Sequence, residues 1–178
     1  MHTSRWRAAV LAGIAIPLAS LALVAQEPAA EPAAFGTPEV LVTELYDLVT
    51  FPADTTPDWD RVRALFLDEA VIVLRTTRTA TTVFTVEGFV ADFVQFIERA
   101  NVAQTGFSEK ILRMKPWVFK DMAHALVLYE ASIPGSGRPA QQGIDSFLLI
   151  RKDGRWWIAA ITNDIPDPNN PVPPELAN

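Results

Sequence analysis

The sequence predicts an α+β domain, a curved and mostly antiparallel sheet with three helices from the N-terminal half packed on its concave face. Three observations carry this. Helix-start signals at Thr37-Pro38, Thr56-Pro57 and Thr85 each precede apolar residues at helical spacing. The C-terminal half reads as long strands. Asp153-Gly154 between two apolar runs is a two-residue hairpin signal. Helices that bury one stripe need a sheet face to bury it on, so the two halves are expected to pack together.

In chain order, the first helix carries the stripe Leu41, Leu45, Leu48 and Val49. The second carries Trp59, Val62, Leu65 and Phe66. Ala70 to Leu74 and Thr81 to Phe84 are short strands. The third helix follows Thr85, with Phe89, Phe93, Phe96, Ile97 and Ala100 on one face. Strands are then expected at Phe107 to Phe119, Met122 to Ile133, Gly143 to Lys152 and Arg155 to Asp164. A turn at Lys120-Asp121 and the loop Pro134-Gly135-Ser136-Gly137 separate them. The order is α-α-β-β-α-β-β-β-β.

The ends read differently. Residues 1–25 are expected to be a signal peptide, with Arg5 and Arg7 before the apolar run Ala8 to Ala25 and cleavage after Ala22 or Ala25. An uncleaved anchor is the competing reading, which Pro17 and the many small residues disfavour. Residues 26–36 form a Pro/Ala/Glu linker, residues 37–165 the folded domain, and residues 166–178 a Pro-rich tail expected to be extended. The expected location is therefore periplasmic or secreted, with no membrane association once the signal is removed.

The chain has 178 residues and a formal charge of −6. Loss of Arg5 and Arg7 with the signal leaves −8. An acidic balance of this size argues against nucleic acid, whose phosphates need a surplus of Lys and Arg. Cysteine is absent, which excludes disulfides, thiol nucleophiles and thiolate metal sites. His124 is the only histidine outside the signal, and no acidic cluster accompanies it, so no metal and no cofactor are expected.

Several segments are familiar. Phe66-Leu67-Asp68-Glu69-Ala70, Lys120-Asp121-Met122-Ala123 and the run from Asp145 to Trp156 (DSFLLIRKDGRW) stand in an order and spacing that resemble the nuclear transport factor 2-like superfamily. That superfamily includes SnoaL-like polyketide cyclases and ketosteroid isomerases. The resemblance covers about Pro38 to Ile165. It implies a cone whose sheet and helices enclose a pocket, used for catalysis, for binding or only as a core.

A two-residue turn at Asp153-Gly154 sets a register in which Trp156 faces Arg151, Ile158 faces Leu149, Ala160 faces Phe147 and Thr162 faces Asp145. Asp164 shares that face. The opposite face carries Ile144, Leu148, Ile150, Trp157, Ala159 and Ile161. Both faces are apolar, so the outer one needs cover. A homodimer through Trp157, Ile150 and Leu148 is the expected solution.

By resemblance the aspartate face points into the cone. Asp145 would then be a desolvated carboxyl, able to act as acid/base or as a hydrogen-bond donor. Its alternative role is structural, satisfied by Thr162 and backbone amides. Tyr129 shares a strand face with Ala123, Ala125 and Val127, and is either a donor to a ligand or a core residue with its hydroxyl at the rim. Phe89, Phe93, Met114, Phe147, Thr162 and Asp164 are the expected ligand contacts. Arg75 and Arg78, in Arg75-Thr76-Thr77-Arg78-Thr79, either bind an acidic group or belong to a solvated loop, the favoured reading.

Enzyme signatures are few. Leu74 stands where ketosteroid isomerases carry their general-base aspartate. The single Arg-x-Asp, Arg151-Lys152-Asp153, lies on the terminal turn. No nucleophile elbow, phosphate loop or dinucleotide fingerprint occurs. Two functions follow: an exported module holding a small apolar molecule, or a cofactor-independent lyase or isomerase using Asp145 and Tyr129.

Overall fold

Thr37 opens the first helix as expected. Its hydroxyl accepts from the Val40 amide at 3.3 Å, and Pro38 occupies the first turn, where a missing N–H costs nothing. The computed structural model describes residues 35–77 and 79–177, all within one compact unit. The signal peptide, almost all of the linker, and Arg78 lie outside the described residues.

The elements are α1 (Pro38–Val49), β1 (Phe51–Pro52), α2 (Trp59–Arg63), β2 (Phe66–Arg75), β3 (Thr81–Phe84), α3 (Val86–Arg99), a 3₁₀ turn (Val102–Gln104), β4 (Gly106–Phe119), β5 (Met122–Ser132), β6 (Gln141–Lys152) and β7 (Arg155–Asp164). The predicted order holds, with β1 added as a two-residue pairing of Phe51 with Phe107. The seven strands form one sheet in the order β1-β4-β5-β6-β7-β2-β3. Only β2 and β7 run parallel.

The second helix differs from expectation. Its N-cap is Asp58, whose carboxylate accepts from the Arg61 amide at 3.1 Å, and it ends at Arg63. Leu65 and Phe66 were expected on its stripe. The Leu65 carbonyl instead accepts from the Ile158 amide at 2.9 Å, so pairing with β7 draws these residues into the sheet. Tertiary pairing here overrides helical spacing. The third helix is capped by Thr85, which accepts from the Gly88 amide at 3.1 Å.

The terminal hairpin also departs from its expected register. Arg151 pairs with Trp156 and Leu149 with Ile158, as the turn dictates. A β-bulge then leaves Ala159 unpaired, so that Leu148 pairs with Ala160, Phe147 with Ile161, Ser146 with Thr162 and Asp145 with Asn163. Two consecutive alanines put no large side chain at the irregularity. Every residue beyond it changes face: Ile161 and Asn163 turn inward, Thr162 and Asp164 outward. A second bulge at Leu112 does the same to β4.

The core lies between the helices and the concave face. Leu41, Val42 and Tyr46 of α1, Ile72 of β2, Phe89 of α3, Ala125 and Val127 of β5, Phe147 of β6 and Ile158 of β7 are all buried there. The outer face keeps large apolar groups in solvent. Trp117, Phe119, Met122 and Leu148 are each at least half exposed. Trp117 stacks on His124 at 5.4 Å, and His124 Nε2 is hydrogen-bonded to Ser146 Oγ at 2.8 Å. Trp157 is partly covered, because the Arg155 guanidinium lies 3.7 Å over its ring.

The tail is not simply extended. Asp167 and Asn170 close a turn with two backbone hydrogen bonds of 3.0 Å, and Leu176 is fully buried. Among the described residues, no helix is long and apolar enough to cross a membrane.

Candidate functional site

Between α1, α3 and the concave face lies a cavity of about 190 Å³. Most of its wall is apolar: Leu45, Val49, Ile72, Leu74, Phe89 and Phe93. Ile161 adds to the apolar side and Arg75 stands at the end of β2; the rest is a polar cluster contributed by five elements: Tyr46 from α1, Glu109 from β4, Tyr129 from β5, Asp145 from β6 and Asn163 from β7.

Asp145 is the centre of that cluster. Alternation along β6 points it inward with Phe147 and Leu149. Tyr46 donates to Asp145 Oδ2 at 2.5 Å, and Asn163 Nδ2 donates to Oδ1 at 2.7 Å. The same amide donates its second hydrogen to the Tyr129 hydroxyl at 3.1 Å. An ionised Asp145 can only accept, so the amide nitrogen of Asn163 must face it. The Tyr129 oxygen therefore serves as an acceptor, and its own hydrogen has no partner in this chain of bonds.

Burial raises the Asp145 carboxyl to about 6, held back by the hydrogen bonds from Tyr46 and Asn163. Glu109 goes further. Burial, with the Asp145 charge as the second cause, raises it to about 8. Among the described residues no donor reaches its carboxyl. Its backbone is fixed instead: Thr50, the C-cap of α1, donates to the Glu109 carbonyl at 3.0 Å and accepts from its amide at 2.9 Å. Burial likewise raises both tyrosines, with Asp145 adding to the shift.

Tyr129 is placed by what its neighbour lacks. A Cβ on Gly143, its partner across β5 and β6, would stand 2.3 Å from the ring. The missing side chain is the space the phenol occupies. The ring also borders a surface groove of about 360 Å³ whose far wall includes Ser136 and Arg138. Tyr129 thus separates the inner cavity from the outside.

The residues expected at this site are divided by the structure. Asp145, Tyr129, Phe89 and Phe93 come together on the cavity wall. Met114 packs into the core opposite Val127, and Phe147 is fully buried with its ring 6.4 Å from that of Tyr46, so neither lines the cavity. Thr162 is carried to the outer face by the Ala159 bulge, and its expected place beside Asp145 belongs to Asn163. Asp164 is turned outward by the same slip and is ion-paired with Arg75 at 2.6 Å. Arg75, read as part of a solvated loop, ends β2 at the cavity edge.

Three members were not foreseen: Tyr46, Glu109 and Asn163. Asn163 was hidden by the bulge. Tyr46 lies beside the expected stripe, on a face widened enough to bury Val42 as well. Glu109 did leave a signal, since it is the single acid on the inward alternation Phe107, Glu109, Ile111. Among the described residues, no three acidic or histidine side chains are grouped so as to hold a metal ion.

No protein-family model matches the chain, and no curated protein matches it. Solved structures do. A nuclear transport factor 2-like protein with a cystatin-like fold from Novosphingobium aromaticivorans superposes with a TM-score of 0.58 at 16% identity, covering 72% of this chain and 79% of that one. A nuclear transport factor 2-like protein of unknown function from Pseudomonas putida gives 0.57 at 14% identity, over 72% and 83%. A Novosphingobium aromaticivorans protein named, provisionally, as a scytalone dehydratase gives 0.53 at 12% identity, over 72% and 81%. Together with the cavity between helices and concave sheet, these matches identify the chain as having the nuclear transport factor 2-like, cystatin-like fold.

Proposed function

We propose that the protein is an exported binding module that holds a small, largely apolar molecule in the cavity between α1, α3 and the sheet. The observation that carries this is the wall itself, apolar on most sides with one cluster of hydrogen-bonding groups at Tyr129 and Asp145. Such a lining both shelters and orients a ligand. Its volume, about 190 Å³, exceeds the roughly 150 Å³ that accepts benzene and is below the roughly 300 Å³ of drug-sized sites. A single-ring molecule fits; a steroid does not. The unpartnered hydrogen of Tyr129 suits a carbonyl or hydroxyl oxygen on it.

Native mass spectrometry of protein purified from its own host tests this reading. A retained mass of one small ring compound, lost in Tyr129→Ala, is expected. Empty protein that also binds no monocyclic ketone or alcohol at millimolar concentration would refute it. N-terminal sequencing of the same preparation tests export, with a new terminus expected just after Ala22 or Ala25.

One observation favours a second reading, a cofactor-independent lyase or isomerase. Asp145, raised to about 6, exchanges its proton close to neutral pH beside a tyrosine hydroxyl. Asp145→Asn would then abolish turnover while binding persists. Unchanged turnover would exclude this role.

The apolar outer face supports a homodimer, now centred on Leu148 with Trp117, Phe119 and Met122, and with Ile150 and the partly covered Trp157 at its side. Sedimentation should show a dimer at micromolar concentration and a monomer for Leu148→Asp. A monomeric wild type would overturn this.

A further inference from the structure

We propose that the surface groove beside Tyr129 is a second binding site, which takes a small molecule with an aromatic body and one carboxylate, the carboxylate held at the rim by Arg138. This site is separate from the inner cavity and does not depend on the reading of that cavity.

The groove, of about 360 Å³, falls within the roughly 300–1,000 Å³ of small-molecule sites. Its floor comes from two elements that the fold brings together. Phe96 lies in the last turn of α3 and Phe107 at the start of β4, and their rings meet edge to face at 5.2 Å. Phe93 completes the cluster, 5.7 Å from each. Ala131 and Ile133 continue the apolar wall beyond Tyr129. Phe96, Ala131 and Ile133 are only partly buried, so the groove leaves apolar surface to water. A ligand ring would cover that surface and add to the edge-to-face cluster.

The rim is polar and carries one sign of charge. Among the described residues that line the groove, Arg138 is the one that is charged. Ser132, Ser136 and Gln141 each have a hydrogen to donate. In a chain with 21 acidic and 15 basic residues, a wall free of acids is a local exception. The inner cavity is lined by Asp145 and Glu109, so of the two spaces the groove is the one that suits an anion.

Arg138 is also uncommitted. Arg61, Arg63, Arg75 and Arg99 are each paired with an acid. The Arg138 amide donates to Ser136 Oγ at 3.2 Å, but among the described residues no acceptor reaches its guanidinium. The loop fixes its position. The Ser136 amide donates to the Ile133 carbonyl at 3.2 Å, and Gly135 and Gly137 take φ values of +73° and +67°, which glycine adopts without strain. A guanidinium offers a carboxylate two parallel donors. Because Arg138 is exposed, its charge selects the ligand, while the apolar floor supplies most of the affinity.

The test titrates 3-phenylpropionate and its neutral counterpart 3-phenyl-1-propanol into the whole isotope-labelled protein, followed by amide NMR. In wild type the carboxylate should give saturable shifts at Gly135, Gly137, Arg138 and Gln141. The alcohol should bind there about two- to fivefold more weakly, the worth of an exposed ion pair. Arg138→Gln, in an exposed loop, should lose that factor for the carboxylate and leave the alcohol unchanged. Raising the salt from about 20 mM to about 500 mM should remove most of the same preference in wild type. Shifts confined to the inner cavity, as at Asp145 and Asn163, would overturn the groove as a site and leave the cavity reading intact. Equal affinity for the two probes, or a carboxylate affinity that Arg138→Gln does not change, would overturn selection by charge. No saturable binding of either probe at the groove up to about 10 mM would overturn the site itself.

Discussion

Replacing Glu109 by glutamine should flatten the pH dependence of stability above pH 6.5. In the folded chain the Glu109 carboxyl is raised from 4.5 to about 8, chiefly because burial penalises its charge. In the unfolded chain it titrates near its ordinary value. Between these values the native state holds a proton that the unfolded state has lost, so stability falls as pH rises. The contribution is fully present below pH 4.5 and is gone above about 8. The slope is about 1.36 kcal/mol per pH unit for one proton. From pH 6.5 to 9 the fall attributable to this residue is therefore about 2 kcal/mol. Asp145 shifts in the same direction, from 3.8 to about 6, so its effect is spent by pH 6.5 and does not overlap. Glutamine imitates the protonated acid in shape and charge. Urea unfolding at pH 6.5, 7.5 and 9 should show the gap between Glu109→Gln and wild type widening by about 2 kcal/mol from the first to the last, with the variant the more stable. Parallel curves over the whole range would show that the Glu109 carboxyl does not hold its proton in the folded chain.

Tyr46→Phe removes one of two side-chain donors to Asp145 and should cost about 1.5–3 kcal/mol at pH 7.5. Carbon-detected titration of Asp145 in that variant should rise above about 6, since a bond that lowers it is gone. Gly143→Ala places a methyl group 2.3 Å from the Tyr129 ring. It should cost about 1–3 kcal/mol by denaturant unfolding, and much less when Tyr129 is already alanine. Thr85→Ala removes the cap of α3 and should lower stability by about 1 kcal/mol in the same assay, without altering ligand affinity at the cavity.

The local choices of this chain were legible in its sequence because they depend on neighbours along the chain. Thr37-Pro38 and Thr85 cap the helices they were expected to cap, and β7 runs from Arg155 to Asp164 as the Asp153-Gly154 turn implied. The order of elements followed, and with it the fold. Alternation along β5 placed Tyr129 with Ala123, Ala125 and Val127 on the buried face, as observed. Three decisions belonged to the tertiary structure. The first is the end of α2, where pairing of Leu65 with Ile158 outweighs a helical stripe that had nothing else to oppose it. The second is the Ala159 bulge. One extra residue between Ile158 and Asn163 exchanges the two faces of a strand, because side chains alternate with a period of two. Asn163 thus took the place beside Asp145 expected of Thr162, and Asp164 left the cavity. The third is the meeting of Tyr46, Glu109 and Asp145, drawn from a helix and two strands far apart in the chain. Residue type and spacing identify an acid that faces inward; they do not say whether a donor from another element will meet it. Here the fold supplied two side-chain donors to Asp145 and, among the described residues, none to Glu109, a difference that alternation along β4 and β6 does not encode.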